Sequence, residues 1–534
     1  MKKSVVIESI LITILVLFSI YMWSLPIMNN QMPYGEVDAA HHYGITSYMF
    51  ATDTIGPLYK PTFLYRLYGH RSLAGAGNFG IESPYAPNFF LNQAIAQIIS
   101  GNEPVGYYLF LSVLCVMIVL TSYFLIRKLF GIIPAFLSSL LIMVSKIDII
   151  TFIMGQYVIL VSFACLPLIL YCYYKYTSSF LENKPRQIYL YIMALLIVTQ
   201  YYNHFQSLID TFMILLIFSI LLLIKERKIP FKLKHATIAA VVFLVLISPF
   251  LHNSLQSVKD VKGFGDVDNE VVPRRFTDLF KWYGESYYTI PTNTSHFSYK
   301  EMHGYWTLPL LFIGFLILLL RRQRKDLLLL SWLIGLYFIL HLDFFIGWMV
   351  PRLYRSVNDV PYIFYPLVAI GLIGLLSFIK VPFRIKKYLT YAFVGIFLLL
   401  FINVNFISSY QILNQGYAPP YSINQYQYDA AMWLRDNVQE DVYIYNKGTL
   451  VMKTKRFINA VSHRLGETQE ELYSLKYYYK DESFAASYYF IDYSEFSGLG
   501  MNKEVEELQQ WETENLKDFS LVYSNQFVRV YDVR

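Results

Sequence analysis

The segment SVVIESILITILVLFSIYMWSLPIM, residues 4–28, is apolar, and GEVDAAHHYGI, residues 35–45, follows it after six residues. About 20 apolar residues in a helix span the roughly 30 Å of membrane hydrocarbon. The first segment therefore predicts a transmembrane helix, and the second places two acids and two histidines just beyond its end. Lys2 and Lys3 are also compatible with a signal peptide, but the segment length and the absence of a small-residue cleavage site near Pro26 favour an uncleaved helix.

The composition indicates a polytopic membrane protein. Hydrophobic residues make up 55% of the 534 residues, charged residues make up 15%, and the mean hydropathy is +0.39. These values depart strongly from those of soluble domains. About eleven segments are candidate membrane helices by hydropathy. They are residues 4–28, 105–126, 132–147, 152–174, 187–199, 205–224, 236–251, 305–320, 327–342, 362–379 and 388–410.

Lysine and arginine recur in every second loop between these segments, beginning with Lys2 and Lys3. Because cytoplasmic loops carry the excess of basic residues, this pattern predicts a cytoplasmic N-terminus and a C-terminal part outside the cytoplasm. The long loops 29–104 and 252–304 then lie outside as well. We predict an all-α membrane domain over residues 1–410 and a small extracytoplasmic α/β domain over residues 411–534.

The charge distribution agrees with this topology. Residues 411–534 contain 12 basic and 18 acidic residues, a net charge of −6, which leaves +12 for residues 1–410. The basic residues lie mostly in predicted inner loops, whereas a nucleic-acid surface needs them clustered on one folded face, so no nucleic-acid partner is expected. The three cysteines fall inside predicted helices, without disulfide or Cys/His metal spacing.

The tail alternates between helix and strand patterns. Helices are predicted at YDAAMWLRDNV and NKEVEELQQWETENL, and strands at VYIYN, SYYFIDYS, FSLVYS and FVRVYDV. The segments WETENLKD and RLGETQEE are interpreted as solvated helix faces. No catalytic set of residues is evident in the tail.

Ionisable residues concentrate on the predicted outer side. Eight of the ten histidines lie in outer loops or at outer helix ends, together with Asp148, Asp343 and Asp359. A reactive site is therefore expected at the outer membrane surface, where a lipid-borne substrate can meet a polar one.

The spacing within residues 35–45 suggests a chemical role. In a helix, Asp38 shares a face with His41 and His42, and the following residues 48–50 make the helix amphipathic enough to lie along the membrane interface. Asp38 could act as a general base on a hydroxyl or amine, or Asp38 and His42 could hold a divalent cation, Mg²⁺ or Mn²⁺, that neutralises a phosphate leaving group. The alternative is that these are solvated loop residues or a helix cap.

Several segments together resemble one family. GEVDAAHHYGI resembles a motif found in a bacterial and archaeal subgroup of the GT-C membrane glycosyltransferases. That motif contains a Gly-Asp pair and is followed by histidine. That subgroup is often labelled 6-pyruvoyl-tetrahydropterin synthase-related, although these residues do not support the label. Further similar segments, in order along most of the chain, are NFGIESPYAPNFFLNQAIAQIISG, TQYYNHFQSLIDTFMILL, RLYRSVNDVPYIFYPLVAIGL and YDAAMWLRDN. The GT-C superfamily also includes oligosaccharyltransferase catalytic subunits, protein O-mannosyltransferases and lipid A aminoarabinose transferases.

The resemblance implies transfer of a sugar from a polyprenyl-phosphate donor to a glycan, lipid or protein acceptor outside the cytoplasm. It also implies that an acid in the first loop serves as base or metal ligand, a role that we carry onto Asp38. In the family the glycine and the aspartate are adjacent, whereas here Glu36 and Val37 separate Gly35 from Asp38. Glu36 therefore remains an alternative to Asp38 as the catalytic acid. The tail is expected to cover the outer cleft and to help select the acceptor.

Arg352 and Arg355, at the outer end of the tenth predicted helix, suit the donor phosphate because guanidinium groups match phosphate oxygens. Anchoring at the membrane interface is the alternative for both. In the first loop, His70, Arg71 and Glu82 are candidate sugar or phosphate ligands.

His204 is a candidate substrate contact, and Asp210 should face the bundle interior or a wet cavity because a charge inside a membrane span is costly. Structural hydrogen bonding is equally consistent with both. GAGNFG matches the dinucleotide-binding spacing only in letters, since neither a preceding strand nor a following helix is predicted.

Two other functions remain possible from the sequence: a transporter or flippase for lipid-linked glycans, and a non-enzymatic assembly factor. A transporter usually shows related halves or paired broken helices, and the sequence shows neither.

Overall fold

The computed structural model describes residues 3–35, 37–52, 88–263, 299–341, 358–378, 383–415, 422–438, 442–449, 452–463, 465–467 and 486–534. All the predicted membrane spans are helical over most of their length. The helices of this part are α1 (Lys3–Asn30), α2 (Val37–Thr52), α3 (Asn88–Ser100), α4 (Glu103–Phe130), α5 (Ile132–Met143), α6 (Lys146–Ile153), α7 (Tyr157–Leu181), α8 (Ile188–Asn203), α9 (Phe205–Glu226), α10 (Leu233–Gly263), α11 (Tyr299–His303), α12 (Thr307–Arg321), α13 (Arg324–Leu340), α14 (Val360–Phe378), α15 (Phe383–Leu400) and α16 (Ile407–Gln415). In the described part of the chain, six helices are long and apolar enough to cross a membrane, and four shorter apolar helices accompany them.

Three predicted spans are interrupted, and the fourth is divided at residues 154–156, between α6 and α7. The third is divided into α5 and α6, because Ser145 begins a new helix by accepting the Asp148 N–H on its hydroxyl at 3.3 Å. The last contains a π-helical turn, Phe401–Phe406, between α15 and α16. Such turns interrupt the regular helical bonding pattern and often occur at functional sites.

Helices α12 and α14 approach each other through glycines. A Cβ atom on Gly371 would overlap the Leu310 carbonyl oxygen, and one on Gly314 would overlap the Leu367 carbonyl oxygen. Small residues let membrane helices pack at short range, where van der Waals contact replaces the hydrophobic driving force.

The tail folds around a five-stranded sheet with strand order β2-β1-β3-β5-β4. Its elements are α17 (Gln425–Asn437), β1 (Tyr443–Lys447), α18 (Met452–Ser462), β2 (Leu465–Glu467), β3 (Ala486–Asp492), α19 (Ser494–Gly498), α20 (Asn502–Asn515), β4 (Ser520–Ser524) and β5 (Val528–Asp532). Strands β2, β1 and β3 are parallel, whereas β5 is antiparallel to both β3 and β4. This confirms the predicted α/β tail, although its exact boundary after residue 410 remains a prediction.

The interpretation of WETENLKD as a solvated helix face is wrong at Glu512. This residue is only 4% exposed, its carboxylate lies 2.9 Å from Arg529, and it accepts hydrogen bonds from Tyr493 and Tyr531. Of RLGETQEE, residues 465–467 form β2 rather than a helix, and the remainder lies outside the described residues.

Substituting Gly371 by alanine should destabilise the membrane domain by about 1–3 kcal/mol, because the new methyl group overlaps the backbone of α12. Gly395, also inside a helix, has open space around its Cα, so Gly395→Ala should be neutral or stabilising by up to about 1 kcal/mol. Thermal unfolding of both variants in detergent checks this difference. Equal shifts would show that the glycine contact is unimportant.

Candidate active site at one end of the helix bundle

The motif segment 35–45 begins with a glycine that lies in close contact with neighbouring helices. Gly35 has φ +120°, and a Cβ there would lie 2.7 Å from Ala39 Cβ and 3.1 Å from the Ile153 carbonyl oxygen. Only glycine adopts this conformation without strain. The chain therefore begins α2 directly against the junction of α6 and α7.

Residues 37–45 are helical, as the motif analysis predicted, so positions 38 and 42 lie one turn apart. Glu36 and the side chains of Asp38 and His41 lie outside the described residues. Their roles, and the pairing of Asp38 with His42, therefore remain predictions.

The expectation that α2 is amphipathic is wrong for its described side chains, whereas its position along the membrane interface stays a prediction. Its described side chains from residue 42 to residue 47 are buried, because α3 and α18 pack against it. His42 is 2% exposed, and its ring centroid lies 5.5 Å from that of Phe90 and 6.1 Å from those of Phe89 and Tyr157. His42 is therefore a buried helix residue and not a solvated loop residue.

Three buried aspartates gather at the same end of the bundle. Asp148, Asp210 and Asp359 are 3%, 3% and 1% exposed. Asp148 accepts a hydrogen bond from the Tyr362 hydroxyl, and the carboxyl of Asp359 is close enough to that of Asp210 for their charges to interact. The burial of Asp210 confirms the prediction that it faces the bundle interior.

Burial, together with the neighbouring carboxyl of Asp210, holds the pKa of Asp359 well above its usual range. Two carboxylates in a buried site cannot both be ionised at low cost, so the pair retains a proton. A carboxyl whose pKa is raised in this way holds a proton closer to neutral pH, as a general acid must.

A series of contacts and chain neighbours connects the motif to these acids through Gln156, Tyr157, Asn358 and Asp359, which we call the polar wall. The side-chain amide of Asn358 donates to Gln156 Oε1 at 3.1 Å. Gln156 precedes Tyr157, which contacts Gly35 and His42, and Asn358 precedes Asp359. The start of α2 and the buried acids therefore belong to one region.

His303 is a buried member of this region that the sequence indicated only as one of the outer histidines. It is 1% exposed, and its Nδ1 lies 3.0 Å from the Tyr365 hydroxyl. Burial and the positive charge of Lys146 lower the pKa of His303 to about 3. The Asn405 side chain, in the π-helical turn, donates to the His303 carbonyl at 3.2 Å and fixes the position of this residue.

His204 serves as the N-cap of α9, since its Nδ1 accepts from the Ser207 N–H at 3.3 Å. The other predicted substrate ligands lie outside the described residues; they are His70, Arg71, Glu82, Arg352 and Arg355.

The predicted divalent cation stays a prediction. Within the described ranges, no group of three or more His, Cys, Asp or Glu residues is arranged to hold a metal ion. The side chain of Asp38, the other proposed ligand, lies outside the described residues, so this observation does not bear on the pairing of Asp38 with His42 around a cation.

Solved structures show which fold this is. The chain is similar to the oligosaccharyltransferase AglB of Archaeoglobus fulgidus in complex with an inhibitory peptide and a dolichol-phosphate, with TM-score 0.56, 15% identity, and coverage of 91% of this chain and 69% of that chain. It is similar to the same organism's oligosaccharyltransferase with Zn and sulfate, with TM-score 0.58, 15% identity and coverage of 90% and 68%. It is also similar to ArnT of Cupriavidus metallidurans bound to undecaprenyl phosphate, with TM-score 0.54, 11% identity and coverage of 97% of both chains.

These similarities confirm the predicted fold: the chain has the same fold as AglB and ArnT, and its apolar helices make it a multi-pass membrane protein. No protein-family model and no curated protein matches the chain. The narrower subgroup predicted from the sequence stays a prediction.

The buried state of His303 predicts a specific pH dependence. Because its folded pKa is about 3 and its unfolded value is 6.5, the unfolded chain binds a proton that the folded chain excludes as the pH falls below 6.5. The histidine should therefore reduce the free energy of unfolding by about 2 kcal/mol between pH 7.5 and pH 5. Thermal unfolding of wild type and His303→Gln at both pH values checks this. The variant should lose less stability on acidification, and an equal loss would contradict the expectation.

Proposed function

We propose that this chain transfers a sugar from a polyprenyl-phosphate-linked donor to a glycan, lipid or protein acceptor outside the cytoplasm. The observation that carries this proposal is that the motif helix α2 and three buried aspartates lie along one wall at one end of a GT-C bundle. Polar groups are costly in a membrane protein, so their concentration at one end indicates a reaction site.

The reaction places definite demands on this site. The acceptor oxygen or nitrogen attacks the anomeric carbon of the sugar, the bond from that carbon to the lipid phosphate breaks, and the acceptor proton passes to a base. We assign the base, or a ligand of a divalent cation, to Asp38, with Glu36 as the alternative. His41, His42, His70, Arg71, Glu82 and His204 are proposed substrate contacts.

The phosphate that leaves with the lipid carries negative charge, which Arg352 and Arg355 are proposed to bind through paired N–H donors. Asn358, three residues after Arg355 in the sequence, already lies in the polar wall.

The similar proteins support a lipid-linked donor. The AglB structure holds a dolichol-phosphate and the ArnT structure an undecaprenyl phosphate, both of which are phosphorylated polyprenyl lipids. The AglB structure also holds a peptide, and a divalent metal is present in a second oligosaccharyltransferase structure. We place the N-terminus of this chain in the cytoplasm and the tail outside, as the loop charges predict.

Replacing Asp38 by asparagine should reduce sugar transfer by about 100-fold or more, because general-base catalysis typically contributes that much. The variants to compare are Asp38→Asn, Glu36→Gln and the double variant, expressed in cells that lack the gene. Mass spectrometry of their envelope glycans identifies the missing sugar and its attachment. Glu506→Gln, which changes an exposed tail acid, is the control and should restore the wild-type glycans. Survival of transfer in the double variant would rule out this mechanism.

Arg352→Ala and Arg355→Ala should each weaken binding of undecaprenyl phosphate in nanodiscs by about tenfold, since a charge-assisted bond to phosphate is lost. Arg227→Ala, which removes an exposed arginine at the opposite end of α9, should leave the affinity unchanged. Equal effects of all three substitutions would indicate only a general attraction of the lipid to positive charge.

A further inference from the structure

The tail contacts the motif segment on both sides of residues 36–38. Before the motif, Tyr34 and Ser422 form an antiparallel β-bridge, and the Ile423 N–H donates to the Pro33 carbonyl at 3.4 Å. These contacts join the start of the tail to the chain immediately ahead of Gly35.

After the motif, four side chains form what we call the junction cluster: Ser47 of α2, Glu103 of α4, Arg435 of α17 and His463, which follows α18. Arg435 Nη1 donates to the Glu103 oxygens at 2.9 and 3.0 Å. The Ser47 hydroxyl donates to Glu103 Oε2 at 2.9 Å and lies 3.1 Å from His463 Nε2. The cluster therefore joins the motif helix, the membrane helix α4 and the tail.

The junction cluster is shielded from solvent. The side chains of Arg435 and Glu103 are 13% and 9% exposed, and Ser47 is fully buried. An ion pair in such a position is screened little by water or salt and holds its partners in a fixed geometry. Helix α18 packs along α2 beside it, and the rings of Tyr48 and His463 have centroids 5.2 Å apart.

The residue types in the cluster also occur in hydrolytic triads, but the arrangement differs. In a triad the acid orients the histidine and the serine is open to substrate. Here Glu103 accepts from the arginine and the serine, and the serine is closed to substrate. The cluster is thus suited to fixing positions rather than to nucleophilic chemistry.

We propose that the tail is a clamp that holds the motif helix from both ends, and that Arg435 is a positioning residue for Asp38. The catalytic consequence rests on the proposed function, whereas the clamp itself does not. Tyr34 anchors the entry to the motif, and the junction cluster anchors α2 at Ser47, about two and a half turns after Asp38. Asp38 and His42 lie between these anchors in the sequence. The tail thereby forms part of the site, in addition to any part in acceptor selection.

Backbone amide hydrogen exchange of the full chain in detergent tests the clamp without any substrate. Arg435→Met should speed exchange of residues 43–52 by about tenfold or more, because Ser47 of α2 loses the arginine as a donor and the Glu103 carboxylate that it binds is no longer held by the tail. Arg435→Lys keeps the charge and should stay within about threefold of wild type. The matched control is Arg529→Met, which breaks an Arg–Glu contact of the same 2.9 Å length within the tail and should leave α2 unchanged.

Arg435→Met leaves the Glu103 carboxylate without its cation, so a folding defect is a foreseeable complication. The double variant Glu103→Gln/Arg435→Met removes both charges and should fold while still speeding exchange in α2. Exchange in α2 within about twofold of wild type in this double variant would overturn the clamp, as would equal acceleration by Arg529→Met.

Sugar transfer then separates positioning from general stability. Arg435→Met should lower the transfer rate while undecaprenyl phosphate binding stays within about twofold of wild type, and Arg435→Lys should restore most of the rate. Unchanged transfer together with faster exchange would overturn the positioning role of Arg435. Survival of transfer in the Asp38→Asn/Glu36→Gln variant would instead overturn the proposed function and leave the exchange results intact.

Discussion

The hydroxyl of Tyr108 holds the backbone of Tyr34 at both of its polar groups, accepting from the N–H at 2.9 Å and donating to the carbonyl at 2.6 Å. The two rings also stack, with centroids 3.9 Å apart. Tyr34 lies between α1 and Gly35, so this contact fixes where the chain leaves the first membrane helix. Gly35 can then approach Ile153 and Tyr157 because it carries no side chain. The position of the motif helix therefore depends on the contact between Tyr34 and Tyr108. The rest of the candidate site is arranged around that helix.

The two ends of the bundle satisfy their polar groups in different ways. Hydrocarbon offers no hydrogen-bond partners, so polar groups collect where protein or water can satisfy them. At the end predicted to be cytoplasmic they form ion pairs, such as Arg127 with Glu8 at 2.6 Å and Arg324 with Glu226 at 2.9 Å. At the opposite end the Arg435–Glu103 ion pair joins the tail to the bundle, but inside the bundle neither Asp148 nor Asp359 has such a partner among the described residues: Asp148 accepts from a tyrosine, and Asp359 has another acid as its neighbour. Ion pairs anchor helix ends, whereas buried neutral partners leave acids able to exchange protons.

The membrane helices could be predicted from the sequence because the bilayer imposes a length and a composition that no other environment requires. The break at Ser145 could not be predicted in this way, since it depends on a single cap within an apolar run. Glu512 was misjudged because its local sequence is acidic and polar, while its partner Arg529 comes from a distant strand. Helix α18 and strand β2 were also missed, because both are short and are specified by packing against α2 and β1.

The acidic motif was recognised from its spacing, but its surroundings depend on contacts between distant parts of the chain. Nothing in the sequence places Ser422 against Tyr34 or Arg435 against Glu103, which are separated by hundreds of residues. The same holds for Asp210 and Asp359, which only the packing of their helices brings together.

The acid pair also distinguishes this end of the bundle from the other candidate regions. Buried acids elsewhere in the described chain are compensated: Asp492 accepts from Gln427, Thr449 and Ser494, and Glu512 is paired with Arg529. Both carboxyl oxygens of Asp359 are buried without a hydrogen-bond partner among the described residues, and the neighbouring carboxyl of Asp210 adds to the cost of ionising Asp359. Natural proteins retain unfavourable local arrangements of this kind mainly at functional sites. The buried Asp359 is therefore the strongest physical support for the proposal that the chemistry lies beside the motif helix, and not in the tail or at the end predicted to be cytoplasmic.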